Sequence, residues 1–320
     1  MKKVLVTGGA GFIGYHLSKE LSHDCEVFVL DNFVRGKKDE LFEELLSKSN
    51  VHLLDVDLTS QGDIAKIGSD YDEVYHLASI NGTENFYTIP AKLLRNNTLV
   101  NINILDWFIN SGSKRILISS SSEFYADAMT HIGLRIPTPE NVPFHLNDVS
   151  NPRWTYAASK LIGEMAFINY ERDYNIDMRI IRYHNVYGPR MGDKHVIPNF
   201  LERVYNNANP FNILGNNTRA FCFVSDTVKA TIQVMRSDEC SGQTIHVGND
   251  SEEIRMADLA KTMFEVLGHD VEIKFKPSPE GSVDRRCPDI SKLRKLGFKQ
   301  QVSLKQGIFL THEYYRKVYS

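Results

Sequence analysis

Lys3-Val4-Leu5-Val6-Thr7-Gly8-Gly9-Ala10-Gly11-Phe12-Ile13-Gly14 decides the fold. Lys3–Val6 is a short apolar run, too short for a helix, and Tyr15 to Leu21 after the glycines reads as one. A buried strand, a glycine turn and a helix present backbone N–H groups and a positive helix end to a pyrophosphate. Gly8 and Gly11 permit the tight turn and close phosphate approach, and Gly14 lets the helix pack on the strand. The spacing is G-x-x-G-x-x-G, and glycine turns also join strands to helices that bind nothing. The next strand, Glu26-Val27-Phe28-Val29-Leu30, adds weight by ending on Asp31, 17 residues beyond Gly14. A carboxylate there can hydrogen-bond an adenosine ribose. Loop and acid together predict a dinucleotide, and the acid favours NAD over NADP.

Working outward, 320 residues allow one large or two modest domains. Hydrophobic content of 42%, charged content of 24% and a net charge of −3 describe an ordinary soluble globular protein. No basic block points to nucleic acid. The apolar run before the glycine turn is only Val4–Val6, which argues against a signal peptide, and no stretch is apolar enough to span a membrane. Cys25, Cys222, Cys240 and Cys287 lack metal-type spacing, so reduced thiols in a cytoplasmic protein, with no metal, are the expectation.

Strand and helix patterns alternate through Glu40–Leu46, Val51–Asp57, Glu73–Ala78, Asn96–Phe108 and Arg115–Ser119. The pattern predicts an α/β fold, a Rossmann-type doubly wound parallel sheet. Gly8, Asp31, Asp57, Ser79 and Ser120 all fall at strand carboxyl ends, where such sheets bind ligands. Asp57 and Leu58 could reach the adenine edge, or Asp57 could cap the helix from Asp63. Ala126 to Arg153 holds Pro137, Pro139, Pro143 and Pro152 without a helical period and reads as a long covering loop. Helix resumes from Trp154 to about Tyr174, and strand Met178–Arg182 leads to a less regular region with helices near 198–206, 225–236, 256–267 and 290–296. The expected division is a dinucleotide-binding domain at 1–180 and a smaller C-terminal α/β substrate lobe at 181–320, with elements interleaved.

Tyr156-Ala157-Ala158-Ser159-Lys160 places a phenol and an ammonium on adjacent turns of one helix face. The ammonium, with a nicotinamide cation, would lower the phenol pKa enough for it to act as a base near neutral pH. Fourteen tyrosines should give about one Tyr-x-x-x-Lys by chance, and a second, Tyr15 to Lys19, lies on the helix after the phosphate loop and is assigned to chance. The Tyr156 match gains from Ser119-Ser120-Ser121-Ser122-Glu123-Phe124-Tyr125, where a serine at a strand end can hold the hydroxyl that Tyr156 deprotonates.

With these motifs in hand, the chain resembles the extended short-chain dehydrogenase/reductases of the nucleotide-sugar epimerase, dehydratase and decarboxylase group. The resemblance runs in family order through TGGAGFIG, Asp31-Asn32, HLAS at 76–79, SSSSEFY, YAASK, RYHNVYGPR, RAFCFVSD at 219–226 and RRCPDISK at 285–292. It implies that Ser121, Tyr156 and Lys160 carry proton and hydride chemistry at a sugar C4. It implies NAD contacts at Gly8, Gly11, Phe12, Ile13, Gly14, Asp31, Asn32, Asp57, Leu58, Leu77, Ala78, Ser79, Asn97, Ser119, Tyr156, Lys160 and Tyr183. It assigns the nucleotide-diphosphate sugar to Ser121, Tyr156, Asn185, Arg190, Arg219 and Arg285 or its neighbour Arg286. Glu123 takes the place of a second base, useful once C4 is a ketone; its alternative is bonding to backbone N–H groups of the following loop.

Arg219-Ala220-Phe221, Val224-Ser225-Asp226 and the final Arg-x-x-Pro-Asp-Ile resemble UDP-glucuronate decarboxylases. Asn96-Asn97-Thr98, Arg182–Pro189 and Pro279-Glu280-Gly281 resemble GDP-mannose 3,5-epimerases. A 4-dehydrogenase releasing a 4-keto sugar is a further alternative, and a non-catalytic dinucleotide-binding protein another, disfavoured because serine, tyrosine and lysine are all present. The group's habit implies a homodimer through the helices at 97–108 and 154–170, where Ile104, Phe108, Ile162 and Phe167 would fit an interface or a core equally.

Overall fold

The computed structural model describes residues 1–278 and 282–319; Pro279-Glu280-Gly281, quoted above for one subgroup, lie outside them. The apolar runs build a seven-stranded sheet: β1 (Lys2–Thr7), β2 (Cys25–Asp31), β3 (Val51–Asp55), β4 (Glu73–His76), β5 (Arg115–Ser121), β6 (Asp177–Tyr183) and β7 (Thr244–Val247). Their order is β7-β6-β5-β4-β1-β2-β3, with the order of strand addition reversing beside β1. The first five strands are parallel: β1 registers Thr7 against Leu30 of β2 and His76 of β4. Parallel pairing needs crossovers. Helices α1 (Phe12–Leu21), α2 (Pro90–Phe108) and α3 (Thr155–Tyr174) supply three of them. Pro90 opens α2, where its missing N–H costs nothing, six residues before the apolar stripe begins. Asn175 closes α3 in the left-handed conformation at φ 52°, a role open to asparagine.

Two compact units divide the chain. The first comprises 1–124, 148–182 and 231–245, and the second 125–147, 183–230 and 246–320. Residues 125–147 and 231–245 each belong to the unit on the other side of the 182/183 crossing. In the first unit, Leu5, Val74, Ile104, Phe108, Ile116, Phe167 and Ile180 share one buried cluster. Ile104, Phe108 and Phe167 are therefore core residues of this chain and say nothing of a partner.

The second unit carries a three-stranded sheet in which Thr218–Ala220 pairs antiparallel with Glu253–Arg255 and parallel with Arg285–Arg286. Its core is aromatic: Phe211 meets Phe200 and Phe264 edge-on, each at 5.1 Å. One expectation changes here. Residues 126–153 are not all loop, because Ser122–Tyr125 is a 3₁₀ turn running into a helix at Ala126–His131. A final helix, Leu304–Tyr319, closes the unit, and Gly307 leaves room on it for the Tyr187 ring. The four cysteines are buried and free, and among the described residues no helix is long and apolar enough to cross a membrane.

Candidate active site

The glycine turn hangs from the sheet by its own backbone: Gly8 and Gly9 N–H donate to the Leu30 carbonyl at 2.8 and 3.2 Å. Gly8 sits at φ +68°, and a Cβ there would meet Ala78 N at 2.9 Å. A Cβ on Gly14 would land on the Gly8 carbonyl oxygen, so α1 can start against the strand only with glycine at that position. Phe12 and Ile13 are the first two residues of α1, where N–H groups have no partner within the helix. At the end of β2, Asp31 is buried and accepts from Ala10 N at 3.0 Å and Phe33 N at 2.8 Å. Those bonds fix the carboxylate at the carboxyl end of β2. Asn32 accepts from Val34 N.

Asp57 turns out to cap no helix. Its carboxylate closes a local turn on Thr59, accepting from both N–H and hydroxyl at 2.8 Å. The Leu58 side chain belongs to the core, so only its backbone is available to a ligand. Leu77 N and Ala78 N donate to Thr7, which ties the loop after β4 to β1. Asn97 is buried; its amide clamps both backbone groups of Ile80, at 2.7 and 2.9 Å, and reaches Ser159 Oγ at 3.1 Å. It thereby fixes the Ser79 loop against α2 and α3.

Lys160 Nζ donates to the Ser119 carbonyl at 2.9 Å and the Ser79 hydroxyl at 3.3 Å, 5.4 Å from the centre of the Tyr156 ring. The ring stacks on Phe86 at 5.4 Å. Burial pushes the phenol well above its usual range and the Glu123 carboxylate adds to this, while hydrogen bonding to Ser121, the Arg35 cation and Ser79 pull it back. Burial also brings the Lys160 ammonium down to about 8, against the opposing pull of Glu164.

Behind these groups lies a buried ion pair. Arg182 grips Glu164 through Nε and Nη2, both at 2.8 Å, and its guanidinium lies 3.8 Å over Phe124. Ser120 donates to the same carboxylate at 2.5 Å, so β5, β6 and α3 meet at one charge. Arg153 Nη2 donates to Glu123 at 2.7 Å, with side-chain exposures of 12% and 18%, and stacks over Phe86 and Trp154. Arg35 donates to the Asn81 carbonyl at 2.5 Å. Neither arginine is singled out by motif reading; Arg153 could be suspected only from lying three residues before Tyr156.

In the second unit, Asn185 adopts φ 40° and donates to the Ala220 carbonyl at 3.0 Å. Tyr183 and Arg190 are buried, the latter at φ 66°. Register pairs Arg286 with Arg219 and Arg285 with Thr218, so Arg219 and the buried Arg286 share a face. Arg285 lies on the other face, exposed and bidentate to Glu253 at 2.9 and 2.7 Å.

A parallel sheet with a glycine cradle at its switch point is the architecture of dinucleotide-dependent oxidoreductases, and the glycines fit the group, since side chains would fill the space. Comparison settles the family within that class. Residues 4–248 match the NAD dependent epimerase/dehydratase family, to which this chain belongs. It is an enzyme of that family and uses NAD. It is 34% identical over 320 residues to UDP-glucuronic acid decarboxylase 6 of Arabidopsis thaliana, covering 98% of this chain and 89% of that one. It is 33% identical to UDP-glucuronic acid decarboxylase 1 of Xenopus tropicalis, over 99% of this chain and 72% of the relative. Among solved structures it superposes on UDP-glucuronic acid 4-epimerase of Bacillus cereus, bound to UDP-glucuronic acid and NAD, with TM-score 0.88 and 25% identity. That match spans 99% of this chain and all of the other. UDP-glucose 4-epimerase of Thermotoga maritima gives 0.86 and 29%, with the same coverage.

Proposed function

We propose that this enzyme oxidises the C4 hydroxyl of a nucleotide-diphosphate sugar to a 4-ketone and then acts on the activated neighbouring carbon. The observation that carries the reading is the set of hydroxyls around the buried Tyr156 phenol, with Lys160 held beneath by Ser119 and Ser79. Bound NAD supplies a hydride acceptor and a positive ring. In this reading Ser121 holds the 4-hydroxyl and Tyr156 takes its proton. The positive charge of the oxidised ring offsets the burial that holds the phenol up. Lys160 orients the nicotinamide ribose. Gly8 to Gly14 hold the pyrophosphate, Asp31 the ribose, and Asn185, Arg190, Arg219 and Arg285 or Arg286 the nucleotide and its diphosphate. A homodimer pairing through α2 and α3 would cover Leu94 and Met165, which those helices expose.

For the net reaction we propose that Glu123, oriented by Arg153, is the base that removes a proton beside the ketone. Glu123→Gln should keep C4 oxidation and lose incorporation of solvent deuterium at C3 or C5. No deuterium in the product of the wild-type enzyme would sink this role. A second reading is supported by the UDP-glucuronic acid decarboxylases among the relatives. On a sugar that carries a C6 carboxylate, a 4-ketone makes a β-keto acid, which loses its carboxylate without a base. Product mass after incubation with UDP-glucuronic acid separates the readings, and a panel of GDP-, UDP-, CDP- and TDP-sugars identifies the nucleotide.

A further inference from the structure

The helix Ala126–His131 and the segment that returns after it carry a cluster that the C4 chemistry does not use. Asp127 and His131 lie one turn apart on the same helical face, and His145 comes back from 14 residues further along. Asp127 is only 2% exposed. Its Oδ2 lies 2.7 Å from His145 Nδ1 and accepts from Asn147 N at 2.7 Å. Its Oδ1 lies 2.9 Å from His131 Nδ1 yet accepts no hydrogen bond, because that nitrogen aims at the Asp127 carbonyl, 3.2 Å away. The two rings stand 5.8 Å apart at 31°. One ligand atom from each residue falls within 4.8 Å of the other two.

A buried carboxylate oxygen with no donor is costly, and a divalent ion would offset that cost. Two imidazoles and a carboxylate are a zinc-type donor set with one position left for water. Ligands in a tetrahedral shell with metal–nitrogen bonds of about 2.0–2.1 Å stand roughly 3.3 Å apart, and the three candidate donor atoms already lie within 4.8 Å of one another. All four cysteines are buried, which leaves histidine and carboxylate as the accessible donors.

We propose that Asp127, His131 and His145 form a structural site for a divalent transition metal of the zinc class. Its place in the fold gives its purpose. The middle of the returning segment is anchored independently: Thr138 N donates to the Cys287 carbonyl at 2.9 Å, and Asp289 N donates to the Thr138 carbonyl at 2.7 Å. The metal would join the ends, clipping His145 back onto the helix that follows Glu123 and Tyr125. Neither the family match nor the cysteine spacings point to it, because the ligands are a helical i, i+4 pair and one distant histidine.

The test uses tag-free full-length protein stripped with a chelator and titrated with zinc chloride against a chromophoric competitor, with cobalt(II) absorption reporting nitrogen and oxygen ligation. Wild-type protein should take one equivalent. His131→Ala, on an exposed side chain that does not threaten folding, and His145→Ala should each weaken binding at least about tenfold, the lower bound for losing even an outer partner of a metal ligand. Zinc should slow tryptic cleavage after the exposed Arg135 several-fold in wild type and not in either variant. Absence of a saturable first equivalent, or variants that bind zinc like wild type, would overturn the site. Unchanged cleavage despite binding would overturn the clip.

Discussion

Replacing Lys160 with methionine removes a charge that the fold buries. Lys160 is 5% exposed, and burial takes its pKa from 10.5 to about 8. Because the folded-state pKa is the lower one, the unfolded chain binds more protons between those two values. Wild-type stability therefore rises with pH from about 8 to 10.5, and the penalty is present in full below 8. At about 1.4 kcal/mol per pH unit the step is worth about 3 kcal/mol. Against it stand the bonds from Nζ to the Ser119 carbonyl and Ser79 hydroxyl; a carbonyl left without its donor costs about 1–3 kcal/mol. At pH 7 these nearly cancel, so Lys160→Met should be as stable as wild type or up to about 2 kcal/mol more so, while turnover collapses. By pH 10.5 the advantage should have moved about 3 kcal/mol toward wild type. Urea denaturation of NAD-free protein, followed by tryptophan fluorescence across that range, measures the difference, and other titrating groups cancel between the two proteins. Parallel stability curves would refute the claim that Lys160 is held charged in a dry site.

Three further outcomes follow from the same geometry. Tyr156→Phe should fold and bind NAD yet lose at least about a hundredfold in turnover; near-normal turnover would remove Tyr156 as the base. NAD should bind at least about tenfold more tightly than NADP by calorimetry, since a 2′-phosphate beside the Asp31 carboxylate sets two anions together. Gly14→Ala should cost about 1–3 kcal/mol of stability and weaken NAD binding, because its Cβ lands on the Gly8 carbonyl oxygen; unchanged NAD affinity would show that the turn can yield.

Most of the sheet was legible because buried parallel strands are apolar almost throughout and end at glycine, acid or serine. β1 to β6 stand within about two residues of where Val4, Val27, Leu53, Val74, Ile116 and Ile180 place them. β7 was not legible as part of that sheet, since Thr244–Val247 arrives after a long excursion and pairs by topology alone. The helix Ala126–His131 was hidden for a different reason. It is six residues long, buries Ala126, Asp127 and Ala128, and runs into a proline-rich segment, so no apolar stripe marks it. Local signals also misled at Asp57, where an acid near a helix start capped a turn instead.

The site divides the same way. Positions set by motif spacing, the glycines, Asp31, Ser121, Tyr156 and Lys160, stand on one sheet edge and the helices beside it, because one strand end or one helix turn fixes each of them. Pairings between elements were invisible. Glu164 meets Arg182 across 18 residues and Glu123 meets Arg153 across 30. The second pairing bears directly on the proposed base. A carboxylate held by a guanidinium is fixed in orientation. Arg153→Leu should accordingly leave the proposed base poorly aimed: C4 oxidation survives, while deuterium exchange falls and loses its preference for one carbon. Exchange that rises with its preference intact would mean that Arg153 restrains Glu123 without aiming it.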